Sequence, residues 1–149
     1  MEKMEAHEKG LLHRAFSVFI FNDKGEMLLQ QRALNKYHSG GLWTNACCSH
    51  PRPNEVTLEA AKRRLFEEMG IKTELEFSTS FTYKTVFENG LTEHEFDHIF
   101  IGKFNADPKI NPDEVNSFCW KSVEGTKNSV KTMPDIYTSW FKIALDKVF

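Results

Sequence analysis

The stretch Leu58 to Met69 constrains the fold more than any other part of the chain. Leu58, Ala61, Leu65 and Met69 recur at helical spacing and form one apolar stripe. Thr57 is the expected N-cap, and Gly70 follows the last apolar position as a C-cap does. The flanking segments have strand character. Ala15 to Phe21 and Met27 to Gln31 are β-rich runs, and Asn22-Asp23-Lys24-Gly25 between them reads as a hairpin turn. Leu42-Trp43-Thr44 is a short strand, with Tyr37 to Gly41 and Cys48 to Asn54 expected as loops. Phe77 to Phe87 and Leu91 to Phe104 read as two long strands around a Glu88-Asn89-Gly90 turn, and Val115 to Trp120 as another strand. Pro134 is expected to open a last helix whose apolar face is Ile136, Trp140, Phe141, Ala144 and Val148. The order strands, helix, strands, helix predicts an α/β (α+β) sandwich on a mixed sheet rather than a regular βαβ repeat.

At 149 residues the chain is expected to form a single domain over 1–149. With 13 Phe, 3 Trp and 3 Tyr it has the apolar volume for a sizeable core. Lys and Arg number 19 against 21 Asp and Glu, a net charge of −2, so there is no basic footprint for nucleic acid. No apolar run approaches the ~20 residues that span a bilayer, which argues against a membrane partner. Met1 to Gly10 is charged and lacks the apolar segment of a signal peptide. Three cysteines, two of them adjacent, make a disulfide framework improbable and point to a reducing, cytoplasmic setting.

Chemistry concentrates in a few places. Alternation along Leu91 to Phe104 puts Glu93, Glu95 and Asp97 on one face, and His94, Phe96 and His98 on the other. Successive acids on that face lie roughly 6.5 Å apart along the strand. Carboxylates so close repel unless a cation sits between them or one holds a proton. A solvated polar face is the plainer reading. In Cys48-Ser49-His50-Pro51 a thiol stands near a histidine able to bind metal. Small buried packing residues are the plainer reading of Cys47 and Cys48, or the pair splits, one buried and one facing a cavity. His7 and His13, surface histidines on the plainer reading, would join His50, Glu93 and Glu95 in a mixed nitrogen and oxygen set. Such a set suits zinc, manganese or another borderline divalent ion.

The helix carries a more specific signal. Ser49, Glu55, Arg63, Arg64, Leu65, Glu67, Glu68, Gly70 and Ile71 follow the spacing of the Nudix box. The glutamates of that box line one side of a helix and hold Mg²⁺ on a diphosphate. The alternative is an exposed helix laced with pairs such as Arg64 with Glu68. Two positions depart from the box. Ser49 replaces its leading Gly, and Arg64 replaces the first Glu of its Arg-Glu pair. Hydrolases of the fold use that Glu as a metal ligand, whereas Arg64 offers a charged fork toward phosphate.

Taken with His13-Arg14-Ala15-Phe16-Ser17, Leu29-Gln30-Gln31-Arg32, Trp43-Thr44-Asn45 and Glu93-His94-Glu95, the chain resembles the type 1 isopentenyl-diphosphate Δ-isomerases of the Nudix superfamily from about Lys3 to the last helix. The resemblance implies a Nudix-like α/β/α sandwich and interconversion of isopentenyl and dimethylallyl diphosphate in isoprenoid biosynthesis. It implies a divalent ion, Mn²⁺, Zn²⁺ or Mg²⁺, held by His7, His13, His50, Glu93 and Glu95. Cys48 and Glu95 become the acid and base on opposite faces of the substrate, assisted by Tyr83. A second Mg²⁺, carried by the diphosphate, falls on Glu68. The diphosphate contacts fall on Arg32, Lys36, Arg64 and Lys3, and an aromatic wall on Trp140. Cys47 and Cys119 are left as packing residues. A monomer or weak homodimer is expected. Family members carry a strand ahead of the point where this chain begins, so the chain is expected to lack it. Two other classes are compatible with parts of the pattern: a Nudix pyrophosphohydrolase acting on a nucleoside diphosphate derivative, and a non-catalytic metal-stabilised binding module.

Overall fold

A computed structural model describes residues 13–36, 39–86 and 92–149, with the backbone alone at 13, 83–86 and 92–95. The expected Glu88-Asn89-Gly90 turn and the first part of the Tyr37 loop lie outside the described residues.

The strands are β1 (His13–Phe21), β2 (Glu26–Arg32), β3 (Trp43–Thr44), β4 (Cys47–Ser49), β5 (Leu75–Val86), β6 (Thr92–Lys103) and β7 (Val115–Ser122). The helices are α1 (Thr57–Met69), α2 (Val123–Thr132) and α3 (Ser139–Val148), with a 3₁₀ turn at Pro134–Ile136. The sheet runs β3-β2-β1-β6-β5, with β4 also on β1 and β7 also on β2. Its strand pairs are antiparallel except β1 with β6, which run parallel over the whole of β1. The sheet is therefore mixed, as the element order predicts.

Hairpin β1–β2 closes where the sequence places it. Gly25 takes φ +76°, its N–H donates to the Asn22 carbonyl at 3.1 Å, and the Asn22 side chain accepts from the Lys24 and Glu26 N–H groups. Beyond the turn the two strands part. β1 pairs with β4 and β6, while β2 pairs with β3 and β7. The gap so opened is where the site lies.

Alternation along β1 feeds two cores. Phe16, Val18 and Ile20 pack with Ala60, Ala61, Leu65 and Met69 of α1. Phe19 packs on the opposite face with Trp140, Phe141, Ala144 and Leu145 of α3. Helix layers thus cover both faces of the sheet. Among the described residues no helix is long and apolar enough to cross a membrane.

The end of α1 follows its sequence signal. Gly70 adopts φ 66°, its N–H reaches the Phe66 carbonyl, and a Cβ there would sit 2.9 Å from Lys109 backbone oxygen. The start does not. Val56 is the N-cap, and no side chain caps the helix. Thr57 is the first helical residue, and its hydroxyl instead accepts from Arg14 Nη1 at 3.0 Å. Pro134 opens only the 3₁₀ turn. The last helix begins at Ser139, where the Thr138 side chain caps it by accepting from Phe141 N–H. Ile136 is exposed and does not join the apolar face. α2 has no counterpart in the expected elements.

Glu55 anchors the approach to α1. Its carboxylate accepts from Arg63 Nε and Nη2 at 2.9 and 3.0 Å and from the Arg52 N–H at 2.9 Å. Those bonds, the Arg63 guanidinium first, hold the carboxyl down to about 2 from an ordinary 4.5. Its folded value is the lower one, so the stabilisation is complete above about pH 4.5 and fades as pH falls toward 2. Glu55→Gln is therefore expected to lower the melting temperature at pH 6–7, with the difference closing near pH 2, as measured by circular dichroism melts across that range.

Candidate active site

Cys47 and Cys48 separate because both lie on a strand, β4, although Cys48 is expected to begin a loop. β4 pairs antiparallel with β1, Cys47 opposite Val18 and Cys48 opposite Ser17. Alternation sends Cys47, fully buried, into the α1 core and Cys48 to the α3 face. Trp140 Nε1 donates to Cys48 Sγ at 3.0 Å, and the thiol reaches Asn45 Oδ1 at 2.9 Å. Burial, reinforced by the nearby Asp97 carboxylate, pushes the Cys48 thiol up from 9.0 to about 12. Asp97 is itself 2% exposed and accepts from Ser17 Oγ at 2.8 Å. Trp140 also stacks beneath a charge: Arg32 Cζ lies 5.1 Å from its ring centroid. Thiol, indole and guanidinium thus form one wall, supplied by β4, α3 and β2.

A second group surrounds Arg64. One nitrogen, Nη1, donates to Glu67 Oε1 at 2.8 Å, and Nη2 donates to Glu68 Oε2 at 2.7 Å. Nη2 also lies 3.3 Å from Glu114 Oε2, and Lys36 pairs with the same Glu114 carboxylate. Burial pushes the Arg64 guanidinium down, but Glu68, Glu67 and Glu114 together hold it above its ordinary value. Glu114 feels burial in the opposite sense, and Lys36 and Arg64 hold it below the usual carboxylate range. Glu68 is buried, with Gln30 Nε2 donating to its Oε1 at 3.0 Å. Lys36 and Arg64, both expected at the diphosphate, are thus tied together through one acid. A register shift between Gln31 and Arg32 lets β2 serve both faces: Gln30 reaches Glu68 on the α1 side, and Arg32 reaches Trp140 on the α3 side.

The remaining expected residues are placed by backbone register. Glu95 of β6 stands between His13 of β1 and Tyr83 of β5. Glu93 is two positions before it and shares the parity of Asp97. His50 follows Ser49, which pairs with Phe16 on the same β1 strand. The register therefore draws His13, His50, Glu93, Glu95 and Tyr83 to one end of the sheet, four residues along β1 from the Cys48 row at Ser17. That is roughly 13 Å along the strand. The side chains of His13, Tyr83, Glu93 and Glu95, and all of Lys3 and His7, lie outside the described residues. Among the described residues no three His, Cys, Asp or Glu side chains converge as a metal site. The register and the nitrogen and oxygen donors fit a divalent cation at that end.

Thr44, Asn45 and Ser17 belong to motifs quoted for the resemblance but have no individual role in the sequence, and Glu114 belongs to none. Thr44 and Asn45 lie four and three positions before Cys48 in the sequence, which is the available signal. Glu114 had none, since its position follows from the fold bringing the segment before β7 under α1.

The comparisons with known proteins agree with this architecture. The model of the NUDIX domain matches residues 11–139. An isopentenyl-diphosphate Delta-isomerase 2 of Aromatoleum aromaticum is 50% identical over 146 residues, covering 98% of this chain and 77% of that protein. An isopentenyl-diphosphate Delta-isomerase of Pectobacterium atrosepticum is 49% identical, covering 99% of this chain and 83% of the relative. Among solved structures, a MutT protein from Methanosarcina mazei shares the fold at a TM-score of 0.75 and 22% identity, covering 92% of each chain. A MutT Nudix hydrolase from Burkholderia pseudomallei does so at 0.65 and 20%, covering 93% of this chain and 98% of the other. The solved structures share the scaffold at low identity, whereas the isomerase sequences match at about half of all positions. The chain belongs to the Nudix family and, within it, to the isopentenyl-diphosphate Δ-isomerases.

Proposed function

We infer that the protein interconverts isopentenyl diphosphate and dimethylallyl diphosphate by adding a proton at one carbon of the isoprenoid and removing one from another, through a tertiary carbocation. The observation that carries this reading is the Cys48 thiol held by the Trp140 indole, Nε1 to Sγ at 3.0 Å, in the α3-side core. Proton movement at carbon requires an acid and a base held in one water-poor pocket. Cys48 is one of the pair and Glu95 the other, with Tyr83, its register partner, assisting. Because the reaction runs both ways, each group gives and takes a proton. Trp140 serves twice: its N–H holds the sulfur, and its π-face favours passing positive charge by about 1–2 kcal/mol when desolvated. α3 covers this side of the sheet and excludes the water that would trap the cation as an alcohol.

Arg32, Lys36, Arg64 and Lys3 are read as the diphosphate contacts. His7, His13, His50, Glu93 and Glu95 are read as holders of a divalent ion, Mn²⁺, Zn²⁺ or Mg²⁺, and Glu68 as the residue meeting Mg²⁺ that arrives with the diphosphate. When bound, these cations supply polarisation of the Glu95 carboxyl and neutralise phosphate charge. The partner is a small isoprenoid diphosphate, and the setting cytoplasmic.

Purified protein given isopentenyl diphosphate and Mg²⁺ is expected to form dimethylallyl diphosphate, resolved by chromatography. Turnover stops with a chelator and returns with Mg²⁺ together with Mn²⁺ or Zn²⁺. Absence of the product from a fully metallated sample sinks the reading. Release of phosphate or a monophosphate from nucleoside diphosphate derivatives would favour the hydrolase instead, against which Arg64 stands.

A further inference from the structure

Asn45 is fully buried, and all of its polar atoms are committed. Its amide nitrogen donates to the backbone carbonyls of Val18 at 2.8 Å and Cys47 at 2.9 Å. Its carbonyl, Oδ1, accepts from Cys48 Sγ–H and from Thr44 Oγ1, each at 2.9 Å. Two acceptors on one side and two donors on the other leave only one orientation for the amide. A buried polar group with four satisfied bonds is also hard to move.

The hydroxyls behind it are equally directed. Thr138 Oγ1 accepts from the Phe141 N–H at the start of α3 and donates to Thr44 Oγ1 at 3.0 Å. Thr44, having accepted that bond, sends its own hydrogen to Asn45. Its alternative acceptor, Cys48 Sγ, is farther away at 3.7 Å. A one-way chain of donors therefore runs from the first turn of α3 through Thr138 and Thr44 to Asn45, and meets the thiol hydrogen there. Trp140 of α3 grips the sulfur from the other side.

We propose that Asn45 is a positioning residue that fixes the direction of the Cys48 S–H bond, and that Thr44 and Thr138 tie that direction to the seating of α3. The proposal rests on the reading of Cys48 as an acid–base group. A proton transferred to or from carbon needs the sulfur aimed at the reacting atom, and small misplacement there costs far more in rate than in substrate binding. None of the four residues is among the expected diphosphate contacts, so their loss acts on kcat.

The test measures kcat, KM and the S–H stretching band of Cys48, the band being isolated by difference against Cys48→Ala. In Asn45→Ala, kcat is expected to fall about 10- to 100-fold with KM unchanged within about twofold, and the S–H band to move to higher frequency. Thr44→Val is expected to lower kcat about 3- to 10-fold, and Thr44→Ser, which keeps the donor, to retain the parent value. Should Asn45→Ala not fold, the Thr44 pair decides. An unmoved S–H band in folded Asn45→Ala overturns the proposal, as does a parent-level kcat in Thr44→Val. Lack of isomerase turnover in the parent protein overturns the functional reading alone, and the S–H band still decides the positioning.

Discussion

A Cys48→Ala protein is expected to fold and to lose roughly 10³-fold or more in kcat. The expectation follows from what the sulfur touches. Cys48 is held by Trp140 Nε1 and Asn45 Oδ1, close enough to the indole that both face the same small space. General acid–base groups contribute on the order of 10²–10⁴ to rate, and the neighbouring Cys47 thiol cannot stand in for Cys48, because it lies in the opposite core. Fold survival is expected because the truncation is small. It leaves the Trp140 N–H and one lone pair of Asn45 without their sulfur partner, a cost of about 1–3 kcal/mol. Cys48→Ser separates the two effects. The hydroxyl keeps both hydrogen bonds and so the stability, but it is a far weaker acid than the thiol and is expected to remain inactive. Product analysis with thermal melts checks both. A folded Cys48→Ala protein with more than about a tenth of the parent rate refutes the catalytic assignment.

Arg64→Ala carries the second large effect, on stability and substrate affinity together. Arg64 neutralises Glu68, whose side chain is 7% exposed, and shares Glu114 with Lys36. Breaking a buried ion pair from one side strands the remaining charge and costs about 3–5 kcal/mol; with Arg64 itself part-exposed, about 3 is expected. The same change removes a planar fork suited to phosphate oxygens, so KM for isopentenyl diphosphate rises. Arg64→Lys keeps the charge but not the fork, and is expected to recover stability more than affinity. Urea unfolding and steady-state kinetics read the two losses separately. A parent-like KM in Arg64→Ala removes Arg64 from the diphosphate contacts.

How far these features are legible in the sequence depends on whether neighbours in the chain or neighbours in space decide them. α1 is legible because an apolar stripe and a glycine stop are local signals, and Gly70 indeed takes the left-handed conformation. Thr57 fails as a cap because Arg14, 43 residues away, takes its hydroxyl. α2 is invisible to periodicity, since its buried residues are Thr126 and Ser129, both polar. Its only local signal is Ser122, whose side chain accepts from the Gly125 N–H. Pro134 is compatible with the start of a helix, but Thr138 supplies the better cap and the longer helix starts there.

The site divides in the same way. That one of the adjacent cysteines faces a cavity is a stated alternative in the sequence, but which one depends on β4 pairing with β1, and a loop reading of Cys48 gives no alternation to use. The Arg64–Glu68 pair is legible from its spacing along the helix. Its tie to Lys36 through Glu114 is not, because that contact joins segments far apart in the chain.

The parallel pairing of β1 with β6 has a consequence for how the molecule reaches its native state. The Ser17–Asp97 hydrogen bond closes a separation of 80 residues, and every rung of the β1–β6 ladder is comparably distant in the chain. The β5–β6 hairpin and α1 involve near neighbours and pay little chain-closure entropy, so they are available early. β1 must find an edge already built, and contacts of such long range slow folding markedly relative to local ones. Glu95 of β6 acquires His13 as a neighbour only in that docking, whereas Cys48 meets Ser17 through the shorter-range pairing of β4 with β1. The register neighbours His13 and Glu95 are therefore among the pairs with the longest chain closure in the sheet, set by the slow, long-range part of the fold.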